Sequence, residues 1–282
     1  MNSSPLISAD ELAAILDQCV VVDCRHELTN PHAGAAAYAL GHIPGAHFLD
    51  QDSDLAGPKN GRNGRHPLPE RDALAARLQG LGLSRGRTLV AYDGINGMFA
   101  ARLWWLARWL GHEQVAVLDG GLQAWTGAGF PVTSEVPPRV PGNFTSGAAS
   151  MPAVTAADIE ANLSAPAFVV VDARAPERYR GEAEPIDPVA GHIPGAVNRF
   201  VGTNLRPDGR FKPAPVLRAE FDALLAGRSP AGFVHQCGSG VTACHNLLAM
   251  AAAGLAGGAL YAGSWSEWCS DPSRPVATGP NP

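Results

Sequence analysis

The chain has no C-x-x-C pair. Its five cysteines (Cys19, Cys24, Cys237, Cys244 and Cys269) form an odd set. That pattern argues against a disulfide framework or a zinc site and suits reduced thiols in the cytoplasm. Long apolar runs are missing as well. No stretch approaches ~18 uninterrupted apolar residues, so no transmembrane helix is expected. The opening Met1-Asn2-Ser3-Ser4-Pro5 has neither a basic stretch nor a long apolar run behind it, so secretion is not expected. Positive charge is not in excess. The net charge of −5 argues against nucleic acid or an acidic membrane as the main partner, while leaving room for a local basic pocket.

At 282 residues the chain exceeds one typical domain, and two domains of ~140 are the natural division. Hydrophobic residues make up 46%, enough for packed cores, so the 24 prolines and 32 glycines signal turns rather than disorder. An internal repeat locates the domains. Gly41-His42-Ile43-Pro44-Gly45-Ala46 returns 150 residues on as Gly191-His192-Ile193-Pro194-Gly195-Ala196. Val21-Val22-Asp23-Cys24-Arg25 returns 149 residues on as Val170-Val171-Asp172-Ala173-Arg174. Leu118–Trp125 matches Tyr261–Trp268, 143 residues on. The order is kept, as two copies of one domain require, and a period this long is a duplication rather than a solenoid. The expected boundaries are 1–134 for the first copy, 135–152 for a Pro-rich, aperiodic linker, and 153–282 for the second copy.

Each copy alternates strand and helix patterns. Ser8-Ala9-Asp10-Glu11 is a capping box ahead of Leu12, Ile15 and Leu16, and Thr155-Ala156-Ala157-Asp158 restarts the second copy in the same way. Val20–Asp23, Thr88–Tyr92 and Gln114–Leu118 are strand-like runs. Met98–Leu110, with Trp104, Trp105 and Trp109, is the helix between the last two, its tryptophans belonging to the core. This alternation predicts an α/β fold in which each copy has a mainly parallel sheet with helices on both faces. Ligands in such folds bind at the carboxyl ends of strands. Asp23 and Arg25, at one such end, are expected to form a structural ion pair.

The stretch Phe233-Val234-His235-Gln236-Cys237-Gly238-Ser239-Gly240-Val241-Thr242-Ala243 puts a cysteine where a strand ends and a helix is about to begin. Gly238 and Gly240 let the backbone take positive φ and turn its N–H groups toward one point. The helix start adds unpaired N–H groups and the positive end of its dipole, and Thr242 is placed to cap it. A sulfur in such a ring of donors is favoured as thiolate, the form a nucleophile needs. The flanking glycines weigh against the other reading, a buried structural cysteine. The first copy carries Asp93 at the matching place. An aspartate cannot hold a transferable sulfur, so the chain is expected to have one nucleophile. Cys244, about two helical turns later, is either a small apolar helix residue or a resolving thiol under oxidation. A phosphatase-type loop needs an arginine at its end to clamp phosphate, and Thr242-Ala243 supplies none. A non-catalytic binding module would be expected to have lost its cysteine, as the first copy has.

Two tandem copies, a G-H-I-P-G-A in each, a D-G-G-L-x-x-W closing the first and a lone Cys loop in the second resemble the rhodanese superfamily over nearly the whole chain. The loop Cys237–Ala243 is similar to that of the 3-mercaptopyruvate sulfurtransferase branch; the thiosulfate branch tends to carry basic residues where Gly238 and Ser239 stand. The resemblance implies a sulfurtransferase. Its donor is 3-mercaptopyruvate or, alternatively, thiosulfate. Cys237 becomes a persulfide whose outer sulfur is held by the loop residues Gly238, Gly240, Val241 and Thr242. A thiol, cyanide or thioredoxin-like acceptor then removes the sulfur, with no metal or organic cofactor. The resemblance also implies that Arg178, in Arg178-Tyr179-Arg180-Gly181, binds the donor carboxylate through parallel hydrogen bonds. Arg180 either assists or is solvated. Ser239, His66 and Asp52 would relay a proton to the leaving enolate. His42 and His192 are expected to be structural, because one of them lies in the copy without a nucleophile. One stretch departs from the branch, which carries a second arginine shortly after the R-[FY]-x-G segment: Glu184-Pro185-Ile186-Asp187 has none.

Overall fold

The computed structural model describes residues 4–282. The first ten elements are β1 (Leu6–Ile7), α1 (Ala9–Ile15), β2 (Cys19–Asp23), α2 (Ala33–Leu40), β3 (His47–Phe48), α3 (Arg71–Gly80), β4 (Thr88–Tyr92), α4 (Ala100–Trp109), β5 (Val115–Leu118) and α5 (Gly121–Gly127). The next ten are β6 (Ala153–Val154), α6 (Ala156–Ser164), β7 (Val169–Asp172), α7 (Pro176–Tyr179), β8 (Val197–Asn198), α8 (Ala214–Leu225), β9 (Phe233–Gln236), α9 (Thr242–Ala252), β10 (Ala259–Tyr261) and α10 (Ser264–Trp268). They form two five-stranded sheets, ordered β1-β5-β4-β2-β3 and β6-β10-β9-β7-β8. Strand pairing in both is parallel, and the two orders correspond strand for strand, as the repeat requires.

Each sheet belongs to one compact unit. The first unit comprises residues through Gly57, Pro69–Ser150 and Leu205–Phe211; the second comprises Pro58–Leu68, Met151–Asn204 and Lys212–Pro282. The segment Pro58–Leu68, which carries His66, therefore counts with the second copy although it lies in the first half of the chain. Residues 135–150 form no helix or strand, but they are not a free tether. The amides of Gly142, Phe144 and Gly147 donate to the carbonyls of Gln79, Leu83 and Leu110, all within the first unit.

The cores repeat position by position. Leu12, Val21, Ile43, Val90, Leu118 and Trp125 are buried in the first unit; Ile159, Val170, Ile193, Val234, Tyr261 and Trp268 are their counterparts in the second. Burying one such aliphatic side chain is worth roughly 1.5–3 kcal/mol, so the duplicated pattern alone specifies the duplicated packing. β2 is buried at every position, as expected of a central parallel strand covered on both faces. Trp104 and Trp105 of α4 are fully buried.

Both expected capping boxes form, on Ser8/Glu11 and Thr155/Asp158. The strand-end ion pairs are structural. Arg25 forks onto Asp23 and reaches the Gly41 carbonyl, and Arg174 does the same with Asp172 and Gly191. In the repeated G-H-I-P-G-A, His42 stacks on Tyr38 at 3.8 Å and His192 on Tyr179 at 3.9 Å. Each histidine holds its partner's backbone carbonyl at 2.8 Å through Nδ1. Both are fixtures of the strand-end turn.

Candidate active site

β9 delivers Cys237 to the carboxyl end of the second sheet, where the parallel arrangement predicts a site. The residue is only 2% exposed. Its Sγ accepts the Gly240 amide at 3.1 Å and the Ser239 amide at 3.5 Å. Gly240 has φ +76°, and a side chain there would run into the Ala262 carbonyl, so glycine is required for this turn. The loop is held from behind by the start of α10. The amides of Trp265 and Ser266 donate to the carbonyls of Cys237 and Gly238, both at 3.0 Å. The Cys237 amide donates to Ser264 Oγ at 3.1 Å, and that hydroxyl donates to the Tyr261 carbonyl at 2.8 Å. Ser264 has φ +55°, a conformation costly for a residue with a side chain.

The expectation that Thr242 caps α9 is corrected. Val241 occupies the cap position, and no side chain bonds the helix start. Val241 is already right-handed, at φ −85° and ψ −63°, whereas side-chain capping needs an extended residue there. Thr242 is the first helical residue. Cys244 is fully buried, and its thiol donates to the Gly240 carbonyl at 3.2 Å. That bond ties α9 to the loop.

Ser239 and His66 come together as the resemblance implies: Ser239 Oγ lies 2.8 Å from His66 Nδ1, both residues being buried. The segment bearing His66 is anchored one residue earlier, where the Arg65 amide donates to Ser266 Oγ at 3.0 Å. Asp52 is a residue of the first unit, where its carboxylate lies 3.8 Å from His26 Nε2.

Arg178 also reaches the loop. A β-carbon built on Gly238 would lie 3.6 Å from both Arg178 Nη atoms and 2.7 Å from Arg65 Nη2. Arg178 is not idle: its Nε and Nη2 bond the Glu184 carboxylate, and Nη2 lies 3.2 Å from Asp187. Arg65 Nη1 bonds the other Asp187 oxygen. Burial opposes ionisation of Glu184, but its bonds from Arg178 and from the Asp187 and Ile186 amides prevail and hold it below the usual carboxylate range. For Asp187 burial prevails over Arg65, and its pKa is pushed up. Arg180 forks onto Glu182 in an exposed pair.

The first unit has the same construction around a different group. Asp93 is buried, and its carboxylate accepts the amides of Ile95, Gly97, Phe99 and Ala100 at 2.9–3.2 Å. Burial raises its pKa against the pull of those amides. The Leu122 and Gln123 amides support the Asp93 and Gly94 carbonyls from the start of α5, as Trp265 and Ser266 do in the second unit. Those Phe99 and Ala100 bonds also explain why α4 begins at Ala100 rather than at Met98.

A rhodanese-like domain matches residues 8–128 and again 155–271. The chain belongs to the rhodanese-like family. It is 50% identical over 99% of its length to all of a Pseudomonas aeruginosa protein named "Probable 3-mercaptopyruvate sulfurtransferase". It is 36% identical to bovine (Bos taurus) thiosulfate sulfurtransferase, over 82% of this chain and 78% of the relative. Among solved structures, the 3-mercaptopyruvate sulfotransferase SseA of Escherichia coli matches with a TM-score of 0.79 and 30% identity, over 93% of this chain and 99% of that one. This rhodanese-like chain is a sulfurtransferase.

Two residues of the rhodanese-like site escaped the sequence reading. Arg65 stands beside His66 in sequence, but nothing in its spacing tied it to the cysteine loop. Ser264 was visible in principle, because the repeat aligns it with Gly121, which has φ +58°. A serine at a glycine-demanding position is a signal for a second duty. Among the described residues, no helix is long and apolar enough to cross a membrane.

Proposed function

We propose that this sulfurtransferase loads sulfur from 3-mercaptopyruvate onto Cys237 and passes it to a thiol, cyanide or thioredoxin-like protein. The Cys237 thiolate attacks the donor's sulfur, forming an S–S bond as the donor's C–S bond breaks. Pyruvate leaves as its enolate. The proton on the donor's thiol ends on the enolate carbon, so the product pair is a Cys237 persulfide anion and pyruvate. Ser239 and His66, 2.8 Å apart, are the route for that proton. Asp52 joins them on the strength of the resemblance alone, and Asp52→Asn tests it. The Gly238, Gly240, Val241 and Thr242 amides hold the terminal sulfur, and Arg178 holds the donor carboxylate.

The observation that carries this reading is a buried sulfur receiving two backbone amides while its loop serine is bonded to a histidine. Thiosulfate is the second donor in order, since Gly238 and Ser239 offer it no charge. The five free cysteines suit a reducing cytoplasm. The test is intact mass of reduced protein after exposure to each donor. One added sulfur, absent in Cys237→Ser and appearing faster from 3-mercaptopyruvate, is expected. No gain of sulfur from either donor would sink the reading.

A further inference from the structure

Two guanidinium groups lie against Gly238, the residue next to the nucleophile, and only Arg178 accounts for one of them. We infer that Arg65 is the second half of the clamp for the anionic end of the sulfur donor. This rests on the function proposed above.

Arg178 by itself is poorly placed for two-point capture. Its Nε and Nη2 edge is committed to Glu184, at 2.6–3.2 Å. Nη1 is the nitrogen outside those bonds, so a carboxylate gripped at two points needs its second donor from elsewhere. Arg65 Nη2 is on the same face of the loop, 2.7 Å from where a Gly238 side chain would begin. The absence of a side chain at Gly238 is what admits both groups.

Asp187 shows that the pair can hold one carboxylate. Its Oδ1 bonds Arg65 and its Oδ2 lies 3.2 Å from Arg178 Nη2, so a single carboxylate already spans the two guanidinium groups. Asp187 sits in the stretch where the 3-mercaptopyruvate branch carries a second arginine. Here the acid at 187 tethers an arginine brought in from residue 65. Arg65 also has a buried Nε without a hydrogen-bond partner among the described residues, a donor still to be satisfied. Its amide is fixed on Ser266, and its neighbour His66 is fixed on Ser239. One dipeptide thus serves the donor's anion and the donor's proton.

Pyruvate, the carboxylate product, reads the clamp without turnover. Its Kd by isothermal titration calorimetry is compared in wild type, Asp187→Asn, Arg65→Met/Asp187→Asn and Arg65→Met/Asp187→Arg. The second variant removes both ends of the Arg65–Asp187 pair, so no buried charge is left alone. It is expected to weaken pyruvate about 10- to 100-fold, with Asp187→Asn alone causing only a minor part of the loss. Returning an arginine at 187 is expected to recover most of the affinity. In the loading reaction the loss falls on KM for 3-mercaptopyruvate and spares kcat. Unchanged pyruvate affinity in Arg65→Met/Asp187→Asn overturns the inference. So does a loss confined to kcat, or wild-type protein that binds no pyruvate. Wild-type protein that binds pyruvate through Arg65 yet gains no sulfur overturns the proposed function instead and leaves the anion clamp standing.

Discussion

In the first unit the loop after β4 closes four backbone amides on the Asp93 carboxylate; in the second, the loop after β9 turns two on the Cys237 sulfur. Both loops leave a parallel strand at its carboxyl end, and both are backed by two amides from the next helix start. The cradle for negative charge is therefore a property of the duplicated fold. Chemistry depends on what occupies it. A carboxylate satisfies the amides at rest with its own two oxygens. A sulfur leaves room for a further atom, and in the second unit the loop carries Ser239 on His66 and lies under Arg65 and Arg178. The path from anion to helix cap is also shorter there, Cys237 to Val241 against Asp93 to Phe99, so fewer amides are spent on the occupant.

The largest expected effect breaks this comparison at its centre. Cys237→Ser keeps the cradle but loses the proposed nucleophile, and sulfur loading should fall by on the order of 10³-fold or more. Asp93→Asn in the other cradle should leave turnover where it was. Loss of activity in Asp93→Asn with the first unit still folded would mean that the two cradles are not separable into working and silent copies.

Next in size is the proposed proton route. Ser239→Ala and His66→Asn should each slow loading from 3-mercaptopyruvate by about 100-fold, within the usual range for a lost general acid–base partner. Loading from thiosulfate should suffer far less, because sulfite leaves without needing a proton. Rapid-quench mass spectrometry with both donors separates the two cases, and an equal loss with each donor would reduce Ser239 and His66 to loop supports.

Much of this is legible in the amino-acid sequence. The repeat, the parallel α/β architecture, Cys237 and Asp93 follow from apolar periodicity and from glycines around a strand end, and those signals are local; Arg178 rests on the resemblance of its R-[FY]-x-G segment. The Ser239–His66 pair came only from family resemblance, because residues 173 apart in the chain share no local pattern. Arg65 was illegible for the same reason. Its meaning depends on an acid standing at 187, and two departures from a pattern that compensate each other look like two unrelated accidents in one dimension. Residue type alone points to Thr242 as a cap, but the loop enters α9 already right-handed at Val241.

A smaller effect sharpens the comparison through pH. His235 stands on β9 where the first unit has Ala91 on β4, each between two parallel neighbours. Burial, with help from the Arg199 charge, lowers the His235 pKa to about 3, and neither ring nitrogen has a hydrogen-bond partner among the described residues. The unfolded chain binds this proton near pH 6.5, and the folded chain does not until about 3. Stability contributed by neutral His235 is therefore complete above pH 6.5 and is lost as pH falls toward 3, at up to about 1.4 kcal/mol per unit. Urea unfolding between pH 7 and 5 should show the second unit weakening faster than the first. His235→Leu should flatten that slope, and an unchanged slope would exclude the histidine as its source.

The smallest effect concerns the two helix starts that back the cradles. Gly121 and Ser264 hold the same left-handed conformation, φ +58° and +55°. At Gly121 a β-carbon would lie 2.5 Å from the Asp93 carbonyl and 2.9 Å from the Ile95 amide, so glycine is obligatory there. Ser264 accepts the strain, roughly 1–2 kcal/mol for a residue with a side chain, and in return its hydroxyl receives the Cys237 amide. That bond is worth roughly 0.5–1.5 kcal/mol, so strain and bond nearly offset each other. Ser264→Gly should thus leave stability within about 1 kcal/mol while slowing sulfur loading several-fold, because the Cys237 backbone loses a fixed partner. Ser264→Ala keeps the strain, loses the bond, and should be the less stable of the two. If both variants load sulfur at the wild-type rate, the serine is an accident of descent. If only stability separates them and loading falls equally in both, the hydroxyl's work is to hold the nucleophile still.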